Sequence, residues 1–133
     1  MTANRIWIVE DEAIIALDLK KRLETRGFVI SGISDTGVDA IDKIRKHQPN
    51  LILMDITLKG DMDGINAGEI IRSEMMIPII YLTAYSDEQT LERAMITQPY
   101  GYISKPFLEE ELFSTITTAI REHSMREMGL TGI

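Results

Sequence analysis

Short apolar runs alternate with longer amphipathic stretches along this chain, and the alternation predicts βα units wound around a parallel sheet. The first run, Ile6–Val9, is rich in β-branched residues and unbroken by polar ones, as befits a strand covered on both faces. From Ala13 to Arg26, Ile14, Leu17 and Leu23 recur near helical spacing, and Gly27 stops the stretch. Phe28–Ser34 reads as the second strand. Thr36 has the character of an N-cap, Asp39 stands three residues on, and Val38, Ile41 and Ile44 continue a helix that ends before Pro49. Leu51–Met54 is the third strand, halted by Asp55. A third helix over Ile65–Met75 is weakened by Gly64 and Gly68. Pro78 opens the fourth strand, Ile79–Leu82, and Ser86-Asp87-Glu88-Gln89 has the pattern of a capping box for the fourth helix. Pro99 breaks the chain, the fifth strand spans Gly101–Ser104, and Pro106 suits the first turn of a helix from Phe107 to beyond Arg121. Five strands and five helices in strict alternation predict an α/β fold, a doubly wound (βα)5 three-layer sandwich.

The residues that end each apolar run change the picture. Glu10-Asp11 follows the first strand, Asp55 the third, Thr83 the fourth and Lys105 the fifth. Parallel strands deliver all of them to one rim, where open α/β sheets bind ligands. In the flavodoxin-like order 2-1-3-4-5 the first and third strands are neighbours, so Glu10, Asp11 and Asp55 crowd together. Two carboxylates about 4 Å apart repel by roughly 4 kcal/mol at an effective dielectric near 20. A divalent cation relieves that crowding, and an all-oxygen cluster suits Mg²⁺, with Mn²⁺ as a substitute. Acid cluster, hydroxyl and ammonium together can accommodate a phosphoryl group.

Composition narrows the classes. At 133 residues with 44% hydrophobic content, the chain fits one domain with a real core. A net charge of −7 and the lack of a basic face argue against direct contact with nucleic acid. The absence of cysteine excludes disulfides and thiolate metal sites. The opening apolar run is too short for a signal peptide or a membrane span, so a cytoplasmic protein with no membrane partner is expected.

Five motifs in order resemble the receiver domains of two-component response regulators, the CheY-like family. They are Ile8-Val9-Glu10-Asp11-Glu12, Leu53-Met54-Asp55-Ile56, Met62-Asp63-Gly64, Leu82-Thr83-Ala84 and Tyr102-Ile103-Ser104-Lys105-Pro106-Phe107. The resemblance implies that Asp55 accepts a phosphoryl group from a sensor histidine kinase, a phosphotransfer protein or a small acyl phosphate. It implies Asp11 as a direct Mg²⁺ ligand, Glu10 as a ligand through water, and the backbone carbonyl of Thr57 as a further one. Thr83 and Lys105 would hold phosphoryl oxygens, Ala84 would leave room for their approach, and Thr57 and Tyr85 flank the site where they can tune hydrolysis. Tyr102 matches the aromatic whose rotamer follows Thr83, and Lys105-Pro106 is a candidate cis bond. The receiver is expected over 1–124, with 125–133 a tail or the start of a linker, in a stand-alone receiver or part of a longer regulator or sensor kinase. It would not be a conventional enzyme, since it catalyses only its own phosphorylation and dephosphorylation. Its changing surface would be the face of the fourth helix, fifth strand and fifth helix, through which a homodimer can form.

Two departures stand out. The segment from Asp55 to Gly64 is one residue longer than the common family form and carries Lys59-Gly60 where a proline is usual. Gln98-Pro99-Tyr100 replaces the frequent Gly-Ala before the fifth strand. Blander readings stand beside these. Asp61 and Asp63 read as loop solvation, and His47 and His123 as exposed residues at helix ends. The alternative function is a non-phosphorylated docking module with a vestigial acidic pocket. A flavin binder would need a Gly/Ser/Thr-rich loop where Glu10-Asp11-Glu12-Ala13 stands.

Overall fold

The computed structural model describes residues 4–84 and 87–129. The strands are β1 (Arg5–Val9), β2 (Val29–Ser34), β3 (Leu51–Asp55), β4 (Ile79–Thr83) and β5 (Gly101–Ser104). The helices are α1 (Ala13–Thr25), α2 (Gly37–His47), α3 (Gly64–Glu74), α4 (Glu88–Ile96) and α5 (Glu109–Glu127). All strand pairs are parallel and the order is β2-β1-β3-β4-β5, the arrangement expected from the sequence.

Strand side chains point alternately to opposite faces, and the sheet sorts its apolar residues accordingly. Ile6, Ile8, Leu53, Leu82 and Ile103 face α1 and α5, where Leu19, Leu23, Leu112 and Ile116 close a fully buried core. Trp7, Val9, Ile52, Met54 and Tyr81 face the other way, against Ile41, Ile44, Ile65 and Ile71 of α2 and α3. Helix α4 contributes only Ala94 to that second core, while Met95 and Ile96 lie exposed.

Several local expectations are corrected. Ile14 and Leu17 of α1 are 84% and 60% exposed; Ala16, Leu19 and Leu23 are the residues turned to the sheet. Val38 is likewise exposed, and α2 packs through Gly37, Ala40, Ile41 and Ile44. The cap of α2 is as anticipated: the Asp39 amide donates to Thr36 Oγ1 at 3.1 Å. Helix α4 is capped by Asp87, which accepts from the Thr90 amide at 2.9 Å, one residue later than the sequence pattern suggested; Ser86 lies outside the described residues. Pro106 precedes α5 altogether, because Leu108 is its N-cap.

The glycines of α3 have steric causes. A Cβ on Gly64 would fall 1.9 Å from the Asp55 carbonyl oxygen, and one on Gly68 would fall 2.2 Å from the Tyr81 hydroxyl. Low helix propensity is thus tolerated where the helix must lie close against β3 and β4.

Candidate functional site

The rim at the carboxyl ends of the strands is organised around Lys105. Its ammonium donates to Glu10 Oε1 and to Asp55 Oδ2, each at 2.7 Å. Glu10 follows β1, and its amide donates to the Ser34 carbonyl at 2.9 Å, so the sheet ladder sets where this carboxylate starts. Its other oxygen accepts from the Glu12 amide at 3.0 Å. Asp55 closes β3, and its Oδ1 accepts from the Thr57 amide at 3.0 Å. Glu10 and Asp55 are 1% and 4% exposed, so both carboxylates sit where water screens little. Lys105 is placed by its own backbone, whose amide donates to the Thr83 carbonyl at 2.9 Å beyond the end of β5.

Asp11 completes the cluster: Glu10, Asp11 and Asp55 each offer a carboxylate oxygen, all within 4.8 Å of one another. Three acids against one ammonium leave an excess of negative charge. Burial pushes the Asp11 carboxyl above the usual carboxylate range, and a hydrogen bond to Glu10 and that residue's charge push the same way. For Lys105, burial alone would lower the ammonium's pKa. Hydrogen bonds and charge from Asp55 and Glu10 outweigh it, and the group ends above its ordinary value. The donor set is hard oxygen throughout, with surplus negative charge and one acid disfavoured as the anion. A small divalent cation such as Mg²⁺ fits these residues.

Of the remaining sequence-selected residues, those described lie on or just after β3, β4 and β5. Thr83 ends β4, is buried, and pairs in register with Ser104, the neighbour of Lys105. Ala84 and Thr57 are exposed on the rim, while Tyr85 lies outside the described residues. The Lys105–Pro106 bond is cis. Tyr102, in register with Tyr81, packs against it with ring centroids 6.2 Å apart. Its hydroxyl is buried and has no hydrogen-bond partner among the described residues. Leaving such a group unpaired costs about 1–3 kcal/mol.

Sequence reasoning missed other residues. Asp63 is no idle loop acid: its side chain caps α3 by accepting from the Asn66 amide at 2.8 Å, and its second oxygen pairs with Arg93 of α4 at 3.0 Å. The spacing from Asp63 to Asn66 is a capping-box signal that was legible. The bond to α4 was not, because it joins residues 30 positions apart. His123 is half-buried rather than exposed, held by Glu127 at 2.7 Å and the Tyr100 hydroxyl at 3.1 Å. His47 is exposed as expected and stacks on Trp7.

Comparison with known proteins settles the class. The model of the response regulator receiver domain matches residues 6–117. This chain belongs to that family. The receiver is 36% identical over 117 residues to the transcriptional regulatory protein PdtaR of Mycobacterium tuberculosis, covering 88% of this chain and 57% of PdtaR. It is 33% identical over 120 residues to the DNA-binding response regulator MtrA of Mycobacterium leprae, covering 90% of this chain and 52% of MtrA. The chain therefore spans little more than half the length of these curated relatives. Among solved structures, it resembles the signal receiver domain of a modulated diguanylate cyclase from Desulfovibrio desulfuricans, at 30% identity and TM-score 0.89, covering 94% of this chain and 99% of that one. A CheY-like receiver domain protein from Methanospirillum hungatei superposes with TM-score 0.86 at 26% identity, covering 94% and 99%. No helix among the described residues is long and apolar enough to cross a membrane.

Proposed function

We propose that this receiver is a phosphorylation-operated switch in which Asp55 accepts a phosphoryl group from a histidine kinase or phosphotransfer protein. The observation that carries the reading is Lys105 Nζ bound to both Glu10 and Asp55 at 2.7 Å in a nearly buried acidic cluster. A lone structural ion pair needs one acid; this lysine has two, and Asp11 remains beside them.

In the proposed step an Asp55 carboxylate oxygen attacks phosphorus. The new oxygen–phosphorus bond forms as the nitrogen–phosphorus bond of the phospho-histidine breaks, and the imidazole leaves with the electron pair. Asp11, Asp55 and the Thr57 carbonyl would hold Mg²⁺ directly and Glu10 through water, and the ion would supply positive charge to the transferring oxygens. Lys105 already lies within hydrogen-bond distance of the Asp55 oxygen that would bear the phosphoryl group, so it needs little movement to pair with a phosphoryl oxygen. The Thr83 hydroxyl donates to another, and exposed Ala84 next to it leaves the approach clear. Thr57, exposed two residues after Asp55, tunes hydrolysis, as does Tyr85, two residues after Thr83 in the chain.

Withdrawal of Thr83 toward the phosphate changes the space near Tyr102, whose buried hydroxyl has no hydrogen-bond partner among the described residues. That linkage carries the signal to the face of α4, β5 and α5, where exposed Met95 and Ile96 suit a partner or a second copy of the chain. The proposed site of action is cytoplasmic, and the absence of direct nucleic-acid contact by this domain accords with a net charge of −7. Incubation with acetyl phosphate and Mg²⁺ should add the mass of one phosphoryl group, and Asp55→Asn should abolish the gain. Folded wild-type protein that stays unmodified overturns the proposal.

A further inference from the structure

The longer loop after Asp55 places a second lysine at the acidic rim. Ile56 and Leu58 are buried in the core between the sheet and α2 and α3, which anchors the loop's near side. Lys59 then pairs through its backbone with Thr36 in an isolated parallel bridge, just beyond the end of β2. Ser34, the last residue of β2, accepts from the Glu10 amide, so the bridge sets Lys59 alongside the segment that carries Glu10 and Asp11. Gly60 follows at φ +91°, a left-handed conformation that turns the chain away at once and that glycine adopts without penalty. The Lys59 side chain is exposed and forms no salt bridge with any described residue. Its charge nevertheless lies close enough to act on the Asp11 carboxylate.

Resting on the phosphoacceptor reading above, we propose that Lys59 is a positioning residue of the acidic site. Held on the Asp11 side of the rim, its ammonium draws the anionic phosphoryl donor toward Asp55 and opposes the divalent cation at the same carboxylates. Lys105 is committed to Glu10 and Asp55 from the opposite side, so the two ammonium groups would flank an incoming phosphoryl group rather than duplicate one another. The two effects of Lys59 have opposite signs, and that separates an electrostatic role from a merely structural one. Loss of the charge should tighten cation binding while slowing capture of a dianionic donor.

The test uses the full chain as wild type, Lys59→Gln and Lys59→Arg. Mg²⁺ affinity is measured by calorimetry in the absence of donor. The second-order rate of Asp55 phosphorylation by acetyl phosphate is measured at saturating Mg²⁺, at low and high salt. In Lys59→Gln, Mg²⁺ should bind about two- to fivefold more tightly, and phosphorylation should slow by a similar factor, with both differences shrinking in high salt. Lys59→Arg should track wild type in both. Unchanged values in Lys59→Gln, or cation affinity and rate moving in the same direction, overturn the inference while a phosphorylated wild type leaves the phosphoacceptor reading standing. A wild type that acetyl phosphate does not modify defeats that reading and the donor half of this inference together.

Discussion

The two ends of the sheet are built to different standards. At the amino ends of the strands, polar groups close on one another: Arg5 donates to the His47 and Gln48 carbonyls, its amide to Asn50, and Tyr100 meets His123. At the carboxyl ends, one lysine pairs with two almost fully buried acids, and a third acid stands beside them. Selection for stability alone favours the first arrangement, since unpaired buried charge costs several kcal/mol. The surplus charge at the second end accords with the cation and phosphoryl group proposed for it.

Breaking the charged end at its hub should have the largest effect. Lys105→Met leaves Glu10 and Asp55 buried without their cation, and should lower stability by about 3 kcal/mol at neutral pH. Denaturant titration reads this. The Lys105 pKa is raised above its unfolded value, so the stabilisation is present below the unfolded pKa and lost only as pH rises through the higher folded value. The defect should therefore be full at neutral pH and shrink only at high pH, as the lysine loses its proton. A variant as stable as wild type at pH 7 would show that the lysine does not compensate the acids.

The core supplies a control of similar size with no electrostatic character. Ile116→Ala in α5 should cost about 2–5 kcal/mol, whereas Ile96→Ala in α4 should stay within about 0.5 kcal/mol. Ile116 is fully buried and Ile96 is 78% exposed. Equal effects would contradict the weak anchoring of α4 by Ala94.

A smaller effect isolates Asp11. Its folded pKa lies above the unfolded one, so the favourable contribution is complete below the unfolded pKa and is lost as pH rises through the folded value. In chelator-treated protein, Asp11→Asn should gain stability relative to wild type on going from acid to neutral pH, and should lose Mg²⁺ affinity. Thermal melts across pH measure the first and calorimetry the second; a constant difference between the two proteins would refute the crowding argument. The smallest effect belongs to the opposite end. Tyr100→Phe removes one hydroxyl contact to His123, also approached by Arg126, and should change stability by about 1 kcal/mol or less without altering Mg²⁺ binding.

Much of this was legible before the coordinates. Buried parallel strands leave unbroken apolar runs, so Ile6–Val9 and Leu51–Met54 announced themselves, and the residues after them pointed to one rim. Helix faces were less legible. Ile14 and Leu17 look like core by spacing, yet α1 turns Ala16, Leu19 and Leu23 to the sheet. Periodicity reveals that a helix has faces, while the choice between competing apolar stripes depends on what the helix packs against. Asp63 shows the same limit, because its capping role is local and its pairing with Arg93 is not.

The order of residue types along the chain by itself determined the alternation of strands and helices, the parallel sheet and the chemical inventory of the rim. Local periodicity and turn chemistry suffice for those, since they depend on neighbours a few positions apart. Only the tertiary structure decided that Lys105 binds Glu10 and Asp55 equally closely, that the Tyr102 hydroxyl is buried without a partner among the described residues, and that the loop after Asp55 lays Lys59 beside Thr36. Those facts join residues distant in sequence, and distances between such residues are set by packing of the whole sheet rather than by any segment of it.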